Sequence, residues 1–279
     1  MARASGNPEM RIALIDGPIS SQHPELSHAR IQQVSGNSGA ECTVADSEAC
    51  RHATFVAGIL IGKRSSAAPA ICPDCTLLVR PIFSETAPKP GVITSATSSV
   101  LAQALFDCMD AGARLINLSL AFREFGLNGD HALDAALSHA ARRGVLVVAA
   151  AGNVGALAGS AITRHPWVIP VAACDLHGRP MRESSLSTSI ARRGVSAPGD
   201  GVISLGVNWP SLTFGGTSVA TAFVSGAAAL MWSQVPRATA TEVRSAITNS
   251  TVRRASIVPP VLDAASAFQA LLQTRRQVA

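Results

Sequence analysis

The sequence predicts an α/β fold, a mostly parallel sheet with helices on both faces, and three observations carry that prediction. Short, nearly unbroken apolar runs such as Arg11-Ile12-Ala13-Leu14-Ile15 alternate with longer stretches in which apolar residues recur at helical spacing. Strands covered on both faces read as continuous apolar runs, and strand-helix alternation is the pattern of a parallel sheet. Hydrophobic residues make up 47% of the 279 and charged residues 15%, so the chain has material for a large core and is not disordered. Alanine and glycine are abundant while tyrosine is absent, which lets elements pack closely.

Taken in order, Arg11 to Ile15 forms a buried strand that delivers Asp16 at its C-terminal end, followed by Gly17. In open α/β sheets that edge carries the site, although an acid there also caps turns. Pro18 and His23-Pro24 mark an irregular loop, and Ser35 to Cys50 is polar and turn-rich. A helix is expected from His52 to about Gly62, with His52 in its first turn and facing out of the core. Thr76 to Ile82 is the next strand, and Thr94 to Gly112 a helix with Val100, Leu101, Leu105, Cys108 and Met109 on its apolar stripe. Leu115 to Leu120 is a strand, His131 to Arg143 a helix ended by Gly144, and Val145 to Asn153 a strand closing on small residues. Trp167 to Ala173 is a further strand, and Val202–Leu205 with Ser211–Phe214 forms a hairpin around Asn208-Trp209-Pro210. Val219 onward reads as a buried helix, Thr239-Ala240-Thr241-Glu242 as a capping box opening a helix to about Asn249, and Asp263 to Gln273 as the last helix. No internal repeat or long linker interrupts the chain, so residues 1–279 read as one domain with its core over about 11–270.

The net charge of +5 comes from scattered arginine pairs with no aromatic platform beside them, which speaks against a nucleic-acid partner. No segment has the layout of a signal peptide, and the apolar stretch from Ala222 to Trp232 is too short to cross a bilayer. A cytoplasmic protein with no membrane partner is the expectation, and nothing in the sequence calls for a cofactor or a metal.

Gly215-Gly216-Thr217-Ser218-Val219-Ala220 is the stretch around which the chain is organised. Thr213-Phe214 is extended, the glycines permit a tight turn, and Ser218 falls on the first turn of a buried helix. Free backbone N–H groups and the positive end of the helix dipole converge there, which suits a nucleophile that makes an oxyanion beside it. Alone, such a stretch is better explained by a turn and a cap. Asp16, His52 and Asn153 change that, because each also lies at a strand end or a helix start, and in a parallel sheet those positions share one edge. A serine needs an imidazole to accept its proton, and the imidazole needs a carboxylate to fix its tautomer. Asn153 then offers a side-chain N–H to the oxyanion alongside the backbone N–H of Ser218.

Six segments in this order resemble the subtilisin (subtilase, peptidase S8) family of serine proteases. They are Ile15-Asp16-Gly17, His52-Ala53-Thr54 with Ala57-Gly58, Asn117-Leu118-Ser119-Leu120, Ala150-Ala151-Gly152-Asn153, Ser196-Ala197-Pro198-Gly199 and Gly215 to Ala220. The resemblance implies a subtilisin-like three-layer α/β/α fold, a triad of Asp16, His52 and Ser218, and Asn153 in the oxyanion hole. It also implies that Ser119, Leu120 and Ala121 pair with an extended substrate backbone, and that Gly152 lines the substrate site.

The chain departs from the family at several points. Gly17 stands where Ser or Thr is usual after the acid, Ala53 where glycine follows the histidine, and Thr221-Ala222 where Ser/Thr-Pro follows the nucleophile. Ala121 and Phe122 replace glycines, and Val154 to His165 is a short pocket wall. Asp16-Gly17-Pro18, His23-Pro24 and the cysteines flanking His52 are similar to the subtilases that mature cyanobactin-type ribosomal peptides. Macrocyclising members carry a helical insertion between acid and histidine, and here 35 residues with no apolar helix separate them. The expected activity is therefore hydrolytic removal of a leader from a precursor peptide. A general intracellular protease, a peptide ligase or macrocyclase, and a silent peptide-binding domain are the alternatives.

Six cysteines stand at positions 42, 50, 72, 75, 108 and 174. Cys108 and Cys174 fall on buried faces as packed thiols. Cys72-Pro73-Asp74-Cys75 with Cys42 and Cys50 invites a zinc reading. A helix from His52 to Gly62 runs about 15 Å at 1.5 Å per residue, with one pair near each end, which argues against shared ligation. Two local disulfides or four free thiols remain.

Overall fold

The computed structural model of the chain describes residues 4–36, 39, 41–85, 96–120, 131–157, 159–208, 211–250 and 256–278. Its strands are β1 (Arg11–Asp16), β2 (Arg30–Gln33), β3 (Thr76–Pro81), β4 (Leu115–Leu118), β5 (Leu146–Ala150), β6 (Ile169–Cys174), β7 (Val195–Pro198), β8 (Val202–Leu205) and β9 (Ser211–Phe214). The helices are α1 (Glu48–Ile61), α2 (Ser98–Asp110), α3 (His131–Arg143), α4 (Ala161–Arg164), α5 (Thr188–Arg193), α6 (Thr217–Gln234), α7 (Ala240–Thr248) and α8 (Ala264–Val278). Seven strands form one sheet in the order β2-β3-β1-β4-β5-β6-β7, and every pairing in it is parallel. The expected hairpin is the separate antiparallel pair β8-β9.

Alternation along the strands splits the core into two layers. Ile12 and Leu14 of β1 pack with Phe55 and Leu60 of α1 and with Val224 and Trp232 of α6. Ala13 and Ile15, pointing the other way, pack with Leu101 and Leu105 of α2 and Leu133 and Leu137 of α3. The result is the three-layer α/β/α arrangement of the subtilisin-like fold. α6 is buried nearly all round, because it crosses beneath β4 to β7 and also meets α1. Its small residues permit this close approach: a Cβ on Gly226 would come within 2.9 Å of Ile71.

The sheet order reverses at β1 and β4, which lie side by side although β2 and β3 intervene in sequence. Ligand sites of open parallel sheets form outside the C-terminal ends of the strands at such a switch point. Asp16 ends β1 there, and Ser119 follows β4 there.

Several boundaries differ from the sequence expectation. α1 begins at Glu48 and not His52, because the Ser47 side chain accepts the Cys50 N–H and caps a helix that opens inside the polar stretch. α2 begins at Ser98, capped by Thr97, and Val100 is 37% exposed instead of joining the apolar stripe. β4 stops at Leu118, which leaves Ser119 and Leu120 beyond the ladder. The capping box of Thr239 and Glu242 is present as expected. The last helix starts where Asp263 accepts the Ser266 N–H at 2.9 Å, and it runs to Val278.

The cysteines divide in a way that neither expected alternative described. Cys42 and Cys50 form a disulfide with a Cα–Cα distance of 5.8 Å, while Cys72, Cys75, Cys108 and Cys174 are free and buried. Cys50 lies in the first turn of α1, and the Cys72 N–H donates to the Leu60 carbonyl in its last turn, so the two pairs sit at opposite ends of the helix. A hydrogen bond from Cys72 holds the Cys75 thiol down at about 7 against the upward push of burial, and the same bond together with burial pushes Cys72 well up.

Candidate active site

Asp16 is 1% exposed, and its Oδ1 lies 2.9 Å from His52 Nδ1. The same oxygen accepts the Gly17 N–H at 2.8 Å, which fixes the carboxylate plane. A carboxylate on Nδ1 sets the tautomer: Nδ1 carries the proton and Nε2 presents a lone pair. Burial pulls the imidazole pKa down, but the charge and hydrogen bond of Asp16, with Glu48 at the head of α1, outweigh it and leave His52 raised above the ordinary 6.5. The other Asp16 oxygen, Oδ2, is buried without a hydrogen-bond partner among the described residues. Residue 17 is a glycine, so no hydroxyl follows the acid. A side chain does not fit there either, because a Cβ on Gly17 would fall 2.3 Å from the Ala49 carbonyl oxygen in the first turn of α1.

Ser218 is the second residue of α6, behind a Gly216 N-cap at φ 114° and ψ 179° that makes no side-chain capping bond. Only glycine adopts that φ without strain, and a Cβ at Gly216 would stand 2.9 Å from Asn153 Nδ2. The backbone N–H of Ser218, in the first turn of α6, has no intrahelical acceptor at this position.

The side chain of Asn153 is oriented by its neighbours. Its Oδ1 accepts the Thr217 N–H at 2.8 Å and the Thr217 hydroxyl at 3.0 Å. A backbone N–H requires the oxygen of the amide, so the NH₂ is left pointing outward with both protons available. Thr217, 0% exposed, also accepts the Gly152 N–H at 3.1 Å and so ties β5 to α6. The Gly152 carbonyl in turn accepts the Ser185 N–H at 2.8 Å. Both backbone groups of Gly152 are thus engaged.

Asp16, His52, Asn153 and Ser218 lie at the C-terminal edge of the sheet, where the sequence placed them, and Ser119, Leu120 and Gly152 follow strand ends at the same edge. Ala121 lies outside the described residues, as does Phe122. Three further residues were not singled out from sequence. Thr217 clamps Asn153, while Ser225 donates to Asn117 Oδ1 at 2.8 Å and Asn117 donates to Ser119 Oγ at 2.7 Å. For Asn117 and Ser225 a signal was available: a polar residue inside an apolar strand or a buried helix needs a partner.

A subtilisin-like sheet with an acid, an imidazole, a hydroxyl and an outward amide at one edge is that of a serine hydrolase of the subtilisin type. The chain belongs to the subtilase family, peptidase S8, whose match spans residues 7–273, and it is a serine endopeptidase. Thermitase from Thermoactinomyces vulgaris is 30% identical over 245 residues, covering 86% of this chain and 80% of thermitase. Among solved structures, a serine-to-alanine mutant of the protease domain of PatA superposes with a TM-score of 0.89 at 30% identity, covering 98% of this chain and 99% of that one. The prenylagaramide maturation protease PagA gives 0.82 at 26% identity, covering 96% and 95%. Among the described residues no helix is long and apolar enough to cross a membrane.

Proposed function

We propose that this endopeptidase matures a ribosomally made peptide by cutting its leader, with Ser218 as nucleophile, His52 as base, Asp16 as the group that orients His52, and Asn153 with the Ser218 N–H as oxyanion donors. The observation that carries the mechanism is the 2.9 Å Asp16–His52 bond on the same sheet edge as a helix-borne serine and an outward-facing asparagine amide. His52 takes the Ser218 proton as Oγ attacks the scissile carbonyl, and the oxyanion forms between Asn153 Nδ2 and the Ser218 N–H. Collapse expels the amine with the proton from His52, and water then cleaves the acyl-enzyme by the reverse roles. Ser119 and Leu120, free of the β4 ladder, offer an edge on which an extended peptide adds as a strand.

The maturation role is supported by the PatA and PagA likenesses and by the Asp16-Gly17-Pro18 and cysteine pattern around His52. A single peptidase domain over residues 1–279, acting in the cytoplasm without cofactor, nucleic acid or membrane partner, completes the reading. The Cys42–Cys50 disulfide pulls against the cytoplasmic part, since reducing compartments disfavour such bonds. Incubation with a leader-bearing precursor peptide, read by mass spectrometry, tests the proposal. One cut at the leader boundary with linear products is expected. Cyclic products would make the enzyme a ligase, and scattered cuts a general protease.

A further inference from the structure

In this structure the hydroxyl assigned as nucleophile is held by a backbone carbonyl and not by its base. Ser218 Oγ donates to the Ser119 carbonyl at 2.9 Å, and His52 is bonded through Nδ1 alone among the described residues. A return bond runs from Ser119 Oγ to the Ser218 carbonyl at 3.1 Å. The two bonds close a ring between the chain leaving β4 and the first turn of α6.

Buried groups behind the ring hold it in place. Asn117 and Ser225 are both 0% exposed. Ser225 Oγ donates to Asn117 Oδ1, which sets the amide so that Nδ2 donates to Ser119 Oγ. With that oxygen accepting, the Ser119 proton is directed to the Ser218 carbonyl. Every donor in the relay has one acceptor, so the backbone at Ser119 and Ser218 is fixed while the Ser218 side chain keeps freedom about one bond.

On the strand addition proposed for Ser119, its carbonyl is also the acceptor that the backbone N–H of an incoming peptide would use. We infer that this carbonyl is a gate: it holds the Ser218 hydroxyl in the resting enzyme and releases it to His52 when a substrate backbone N–H takes its place. The inference rests on the triad reading. One neutral donor replaces another on the carbonyl, and the freed hydroxyl gains the His52 Nε2 lone pair. A peptide with a free N–H on the acyl side of the scissile bond opens the gate, whereas a small reagent without one reacts only through spontaneous release of the hydroxyl, and so more slowly.

Two measurements on the full chain test it. Ring-¹⁵N histidine NMR follows the His52 titration in wild type and Ser218→Ala without ligand. Superimposable curves are expected, because the resting hydroxyl does not touch His52, and a displaced curve overturns the inference. A peptidyl diphenyl phosphonate is then compared with its counterpart N-methylated at the residue that bears phosphorus. The saturated inactivation rate is expected to fall on methylation, and a loss confined to apparent affinity overturns the gate. If neither phosphonate labels Ser218, the triad reading fails instead, and the NMR comparison still reports on the resting hydroxyl.

Discussion

His52 is pulled in two directions, downward by burial and upward by Asp16 and Glu48, and the upward pull prevails. Two opposite pH effects follow. As a base it must be neutral, so kcat/KM is expected to rise with pH through an ionisation above 6.5, and Asp16→Asn should move that limb to lower pH while cutting kcat by roughly four orders of magnitude. A raised folded-state pKa means that folding favours the protonated imidazole. Its contribution to stability is complete below the unfolded value of about 6.5 and is lost as pH rises through the folded value. Denaturant titrations across that window should show stability falling where activity rises. Asn153→Ala removes one of two oxyanion donors and should cost on the order of 100- to 1000-fold in kcat, the loss known for the asparagine of subtilisin itself. The substrate KM should change little, which steady-state kinetics would show. Asp16, His52, Asn153 and Ser218 stood out in the sequence because each falls at a strand end or a helix start and inside a segment that resembles the family. The clamp by Thr217 did not, since its partner Asn153 is remote in sequence and only the fold brings them together.

At the scale of elements, the entry of α1 sets the acid's surroundings. Because the helix opens at Glu48, its first turn packs against Gly17 and leaves room for hydrogen alone. Gly17→Ser, which would install a hydroxyl of the kind usual in the family, is therefore expected to destabilise the fold by roughly 1–3 kcal/mol through overpacking. Thermal melting of the variant decides this; a Tm equal to or above wild type would show that the first turn of α1 yields. Reading the sequence placed this helix start too late because residues 35–50 carry no apolar period, and Ser47 has no acid three residues on to complete a capping box. β2 went unread for a related reason. Arg30-Ile31-Gln32-Gln33 is an edge strand largely exposed to solvent, and main-chain pairing with β3 holds it where no apolar run could announce it. Strands buried on both faces, such as β1 and β5, were found close to their true ends because burial itself writes the pattern.

For the whole molecule, the parallel sheet and its switch point explain why residues spread from 16 to 218 meet at one edge. The Cys42–Cys50 disulfide closes a loop of separation 8 onto the helix that carries His52. Loop-closure entropy for so short a loop is worth about 2–3 kcal/mol. The paired replacement of Cys42 and Cys50 by serine should lower unfolding free energy by about that much. Thiol counting in the unfolded protein should find four free thiols without reductant and six with it. The sequence left this pairing open because spacing alone does not state which cysteines the folded chain brings into contact.

The most direct test of the central claim is mass spectrometry after reaction with a fluorophosphonate. Stoichiometric adduct on the peptide bearing Ser218, absent in Ser218→Ala and suppressed in His52→Ala, is the result expected of a serine activated by His52. Adduct on another residue, or labelling that survives Ser218→Ala, would contradict it.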